Sequence, residues 1–199
     1  MSESILDILG PTVEDLGGAP AGWVDRLERY ADLVRERNQA VNLVSRRSAD
    51  RFVEGQLLPC LAVLRLVRPG TPVRVLDVGT GGGLPGIPLK ILRPETRVDL
   101  VDATRKKVDF VREAIETLGL GGAVAHWGRI EDPPPSLRER APFELWVSRA
   151  VGEDARLDRA RREWCPDAEV WVFCPPGTGE FDFGAPGRSP VTALRKLSG

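Results

Sequence analysis

The stretch from Val75 to Gly86, VLDVGTGGGLPG, gathers the residues best suited to hold a small ligand. Glycines at 79, 81 and 83 let a backbone turn sharply and come close to a bound molecule, where a Cβ would collide. The helix predicted to follow would point its first unpaired N–H groups over the loop, a setting that favours a carboxylate or a phosphate. One acid, Asp77, stands just before the loop. It would repel a pyrophosphate and attract a cationic ligand. A second acid, Asp102, ends the next predicted strand and suits the two hydroxyls of a ribose.

Two patterns overlap on this loop. Read from Gly81, the sequence matches G-x-G-x-x-G through Gly83 and Gly86, the dinucleotide fingerprint. Read from Asp77, it is an acid, an apolar residue and then alternating glycines at a strand end, the pattern used by S-adenosylmethionine enzymes of the Rossmann-like class. Asp102 would serve either cofactor. Asp77 favours the methyl donor, whose ammonium and sulfonium it would attract, over a nicotinamide dinucleotide.

The elements around the loop follow from hydrophobic periodicity. Met1 to Gly22, punctuated by Gly10-Pro11, Gly17-Gly18 and Pro20, predicts a short helical turn and a loose lead-in. Residues 23–69 predict a helical layer. Its first helix carries Val24, Leu27, Ala31 and Val34 on one face; a second starts near Ser48 and runs through Phe52, Leu57, Leu58, Leu61 and Leu64 to Arg68-Pro69-Gly70. From residue 70 to 199 strands alternate with helices, with strands predicted near Val73–Val78, Arg97–Asp102, Ala123–Trp127, Phe143–Ser148 and Glu169–Cys174. Such alternation implies right-handed β-α-β units, a mostly parallel sheet with helices on both faces, and ligands beyond the carboxyl ends of the strands. The tail predicts one strand, Val191 to Leu197.

Composition excludes several classes. Apolar residues make up 42% and charged residues 29% of 199, which speaks against disorder and fibrous repeats. Cys60, Cys165 and Cys174 show no C-x-x-C spacing and His126 stands alone, so neither a disulfide framework nor a zinc site is expected. The start shows no signal-peptide pattern, and the longest apolar region, Leu57 to Val67, spans eleven residues and includes Arg65, too short to cross a bilayer. A cytoplasmic protein, monomeric and without a metal or membrane, is the expectation. With a net charge of −1, any nucleic-acid contact must come from a local basic patch. Arg105, Lys106 and Lys107 open a helix, where positive charge opposes the dipole, and are candidates for such a patch together with Arg46, Arg47 and Arg51. His126, beside Trp127, reads as a packed or edge residue.

The segment from Asp77 to Lys107, DVGTGGGLPGIPLKILRPETRVDLVDATRKK, resembles the bacterial glucose-inhibited division protein B family. So do Asn38 to Ser45 (NQAVNLVS), Arg129-Ile130-Glu131 and Ser148-Arg149-Ala150, and together these pieces cover about residues 23–152. The resemblance implies a Rossmann-like class I methyltransferase sheet with an N-terminal helical layer. It also implies S-adenosylmethionine as cofactor and methyl transfer to guanine N7 of 16S ribosomal RNA, free or in a small-subunit precursor. Carried over by position, Gly79 and Leu84 would line the methionine and adenosine of the cofactor, with Thr80, Gly81 and Gly83 completing the loop. Asp102 and Ala103 would meet the ribose, Ile130 and Glu131 the adenine edge. Arg149 would lie at the junction of cofactor and target base, with Arg129 as a second catalytic candidate. Asp132-Pro133-Pro134-Pro135 lacks the aromatic of the amino-methylase signature and reads as a loop.

Two stretches depart from the family's usual pattern, and the tail is shorter than is usual there, with little to make the usual closing hairpin. Arg51-Phe52-Val53-Glu54-Gly55-Gln56 stands where a His and a nearby Asp-Ser are usual, and Cys174-Pro175-Pro176-Gly177 where Lys-Gly is usual. Both would lie on the substrate side. They motivate two alternatives: a non-catalytic, S-adenosylmethionine-binding relative associated with RNA or the ribosome, or a methyltransferase retargeted to another substrate.

Overall fold

A parallel sheet buried on both faces needs strands that are apolar almost throughout, and five such runs pair side by side. The computed structural model describes residues 4–44, 51–149 and 154–197. Strands β1 (Arg74–Val78), β2 (Arg97–Asp102), β3 (Ala123–Trp127), β4 (Leu145–Ser148) and β5 (Glu169–Cys174) are parallel, in the order β3-β2-β1-β4-β5. Strands β6 (Phe181–Phe183) and β7 (Thr192–Lys196) form an antiparallel pair, and β7 joins it to β5. This pair corrects the expectation of a lone last strand. Phe181-Asp182-Phe183 is too short to show alternation in sequence, and it is held by pairing with Thr192 to Leu194.

The helices are α1 (Ile5–Asp15), α2 (Trp23–Asn38), α3 (Gly86–Leu92), α4 (Arg105–Thr117), α5 (Pro135–Arg138) and α6 (Asp154–Trp164). Helix α1 replaces the predicted loose lead-in. Ser4 and Asp7 form a reciprocal capping box, and Ile5, Leu9 and Val13 bury one face. Pro11 removes one helical hydrogen bond from within it, a loss that this burial offsets. The second predicted helix is also irregular: a π turn at Val53–Leu57, an α segment at Leu58–Cys60 and a 3₁₀ turn at Leu61–Arg65. Ser48, its expected N-cap, lies outside the described residues, as do Arg46, Arg47 and Ala150.

Alternation along the strands sorts side chains between two apolar clusters. Val75, Val98, Leu100, Leu145 and Val147 pack with α1, α2, the run 53–65, α3 and α4. Leu76, Val78, Val101, Trp146, Val170 and Val172 pack with Leu137 of α5 and with Leu157 and Ala160 of α6. Arg93, at the end of α3 and 1% exposed, donates to the carbonyls of Leu16, Gly18 and Val67 and so ties the N-terminal helices to the sheet domain. His126 is buried, with Nε2 2.7 Å from Asp99 Oδ1 and Nδ1 3.1 Å from Ser136 Oγ, a packed polar link between β2, β3 and α5. Among the described residues, no helix is long and apolar enough to cross a membrane.

Candidate functional site

The glycine loop leaves β1 at its carboxyl end and is anchored on β2 by bonds from the N–H groups of Gly79 and Thr80 to the carbonyl of Val101 (2.9 and 3.1 Å). Gly79 sits at φ 71°, a conformation that a side chain would strain. It is exposed and presents bare backbone to the cleft beside it. Gly86 is required for a different reason. A Cβ there would come within 2.6 Å of Leu100 Cδ2 and 2.8 Å of Asp77 Oδ2, so the third glycine of the fingerprint permits packing of α3 on the sheet.

Asp77 occupies a place other than the one its charge suggests. Its side chain shares the parity of Val75, so it points to the helical-layer face and is fully buried. Oδ2 accepts from Thr80 Oγ1 (2.7 Å) and from the Gly86 N–H (2.8 Å), while Oδ1 has no hydrogen-bond partner among the described residues. Burial pushes its carboxyl up to about 7, against the pull of Thr80, Gly86 and the Arg149 cation. Asp77 therefore braces the loop from beneath, instead of facing a ligand as an open carboxylate.

Asp102 faces the loop from β2. Oδ2 accepts from the Gly81 N–H (2.9 Å) and Oδ1 from the Thr104 N–H (2.8 Å). A carboxylate has about four acceptor sites, so each oxygen keeps capacity for a hydroxyl. Asp102 lines a cleft of about 350 Å³ together with Val78, Gly79, Val101, Ala103, Lys107, Gly128, Arg129, Ile130, Glu131 and Arg156. Five residues expected at the cofactor, Gly79, Asp102, Ala103, Ile130 and Glu131, thus meet in one cleft with the catalytic candidate Arg129.

The other expected residues lie elsewhere around the loop. Thr80, Gly83 and Leu84 are buried, and Gly81 is partly exposed; none of these four lines the cleft. Arg149, after β4, is partly buried on the other side, with Nη1 3.1 Å from Cys60 Sγ and its guanidinium 5.5 Å from the centre of the Phe173 ring. Ser148 beside it ties β4 to β1 through a 2.9 Å bond to the Val78 carbonyl. In the basic stretch, Arg105 stacks on Trp127, whose indole donates to the Ala103 carbonyl (3.0 Å). Arg156, paired with Glu131, was not anticipated, because nothing in its helix sets it apart from the neighbouring arginines. Tyr30 and Leu43 were also missed. Tyr30 donates to the Gly82 carbonyl (2.6 Å), and Leu43 Cβ lies 3.3 Å from where a Gly82 Cβ would stand. Asn38 folds NQAVNL back over the loop by accepting from the N–H groups of Leu43 (2.8 Å) and Val44 (3.0 Å). Among the described residues there is no His, Cys, Asp and Glu cluster able to hold a metal ion.

A sheet of this order, with its cleft beyond β1, β2 and β3, defines a domain of the Rossmann-like class I methyltransferase fold. Crystal structures of MtNAS share it at about 20% identity. A point mutant in complex with S-adenosylmethionine gives a TM-score of 0.56 over 86% of this chain and 74% of that one. The complex with MTA and tNA gives 0.54 over 86% and 68%. Residues 24–173 match the GidB family, described as rRNA small subunit methyltransferase G, and the chain belongs to that family. Similar proteins named ribosomal RNA small subunit methyltransferase G occur in Pelotomaculum thermopropionicum (42% identity, 67% of this chain, 56% of that one) and Moorella thermoacetica (36%, 80% and 67%). The protein of that name in Methylobacillus flagellatus is 33% identical over 88% of this chain and 82% of that one. The chain spans little more than half the length of the P. thermopropionicum protein.

Proposed function

We propose that the chain is an S-adenosylmethionine-dependent methyltransferase of small-subunit ribosomal RNA, acting on guanine N7 of 16S RNA as a cytoplasmic monomer. Residues 23–69 form its helical layer, and residues 70–199 its cofactor-binding domain. The convergence of Gly79, Asp102, Ala103, Ile130 and Glu131 on one cleft carries this reading. Its volume falls in the range of small-molecule sites. Val78, Val101 and Ile130 offer apolar wall to a base, Asp102 keeps acceptor capacity for a diol, and Gly79 admits close approach.

Bound there, S-adenosylmethionine would supply an electrophilic methyl on a sulfonium. The protein's part is alignment and exclusion of water. Guanine N7 carries a free lone pair and loses no proton on methylation, so the site needs no general base. His126, locked to Asp99 and Ser136, is consistent with that. The loop and Asp102 hold the nucleoside, while Arg149 contributes directed N–H donors and a positive charge where cofactor and base meet. Arg129 extends the cleft wall at the end of β3.

Incubation with methyl-labelled cofactor and whole ribosomal RNA or small-subunit particles tests the proposal. Label mapped to N7 of a 16S guanine is the expected outcome. Cofactor binding without transfer would favour the non-catalytic relative and overturn the activity; label in another substrate would favour the retargeted enzyme and overturn the RNA assignment.

A further inference from the structure

Arg149 is held by two contacts from two separate elements, and neither is a carboxylate. The thiol of Cys60 reaches it from the α segment Leu58–Cys60, and the ring of Phe173 lies against it from β5. Cys60 is fully buried. It sits just after the π turn at Val53–Leu57, where the Leu58 N–H bonds to the Val53 carbonyl. Single π turns inside helices recur at functional sites. The extra residue turns all that follows by about 100° relative to a regular helix.

We infer that Cys60 and Phe173 are positioning residues for Arg149: a thiol acceptor and an aromatic face that together fix the guanidinium at the end of β4. The inference rests on the proposed role of Arg149 at the cofactor. An acidic partner would fix the side chain equally well but would cancel its charge and occupy its donors. A thiol is a weak acceptor, and a ring attracts the cation through its quadrupole without using N–H groups. Burial pushes the Cys60 thiol up to about 11, opposed by the neighbouring Arg149. The sulfur is therefore neutral at physiological pH and cancels none of the guanidinium's charge; the acid that faces Arg149 is the buried Asp77, whose carboxyl desolvation holds up to about 7.

Because a buried substitution can harm folding generally, the test is a set of double-mutant cycles on the full chain. S-adenosylmethionine is titrated by calorimetry, and thermal midpoints confirm that each variant is folded. Arg149→Ala is expected to raise Kd at least ~10-fold, as for loss of a charged hydrogen bond. Cys60→Ala and Phe173→Leu are each expected to raise it ~3- to 5-fold, as for one weak contact. In the Arg149→Ala background both increments should shrink to less than ~1.5-fold, the signature of residues that act through the same group. Cys60→Ser, which keeps an acceptor at that position, should lie within ~2-fold of the parent. Should the Cys60→Ala and Phe173→Leu effects persist in full without Arg149, or should Cys60→Ser be as weak as Cys60→Ala, the positioning role is wrong while Arg149 keeps its place. An unchanged Kd in Arg149→Ala would instead remove Arg149 from the cofactor site, and with it the proposed reading of that residue.

Discussion

The phenol of Tyr30 donates a 2.6 Å hydrogen bond to the carbonyl of Gly82, joining α2 to the glycine loop across 52 positions of sequence. Both partners are buried. Burial pushes the Tyr30 hydroxyl well above its ordinary range, aided by Cys60 and Asp77, so it stays a donor at any physiological pH. The helical layer thus holds the glycine loop, and does more than cover the sheet.

Tyr30→Phe should therefore cost about 1–3 kcal/mol in stability, because the Gly82 carbonyl is left buried without its donor. The variant should also bind S-adenosylmethionine several-fold more weakly, since the loop loses its tie. Urea unfolding and calorimetry measure the two effects. Unchanged values in both would show that the bond contributes nothing.

Asp77→Asn tests the buried brace through pH. The ordinary carboxyl value is 3.8 and the folded value is about 7, so between these limits the folded state holds a proton that the unfolded state has lost. Stability conferred on the protonated form is present at low pH and falls as pH rises from about 4 to about 7, by a few kcal/mol at most. Asn, which keeps an acceptor for Thr80 and Gly86 but cannot ionise, should flatten this slope. Denaturant midpoints of parent and variant at pH 5 and pH 8 decide it; parallel pH profiles would count against a protonated Asp77.

Gly86→Ala places a methyl against Leu100 and Asp77 Oδ2, at 2.6 and 2.8 Å. Overpacking of this kind costs about 1–3 kcal/mol, a drop of roughly 3–10 °C in Tm for a chain of this size. A thermal scan of the variant suffices, and a midpoint equal to the parent's would mean that α3 moves away freely.

Asp102→Ala removes the acceptor for the Gly81 N–H and, on the proposed reading, for the ribose. It should weaken S-adenosylmethionine binding at least ~10-fold, and more than Asp77→Asn does. Calorimetry on both variants checks the order. Parent-like affinity in Asp102→Ala would displace the ribose from this acid.

The parallel sheet, the order of its elements and the loop after β1 were all legible in sequence, because strand alternation and glycine spacing are local properties of the chain. Gly79 and Asp102 stood out by residue type and place, whereas Ala103, Ile130 and Glu131 were named through the family resemblance; their meeting in one cleft has a simple geometric reason. Ends of parallel strands lie side by side in this fold, so residues just beyond β1, β2 and β3 are neighbours whatever their distance in the chain. The closing hairpin was not legible, since three residues of β6 have no periodicity until β7 pairs with them.

Side-chain partners across elements had no signal at all. Tyr30 looks like any apolar position of an amphipathic helix, and only its packing over Gly82 makes it a brace. Cys60 reads as a core residue, and a π turn that periodicity cannot foresee brings its sulfur to Arg149. Asp77 shows the difference most directly. Its type and place predict an open anion beside a ligand, whereas strand parity turns it under the helical layer and desolvation takes much of its charge away. Composition and spacing determined which backbone could form; burial, which depends on every element packed around a group, decided what each polar side chain does there.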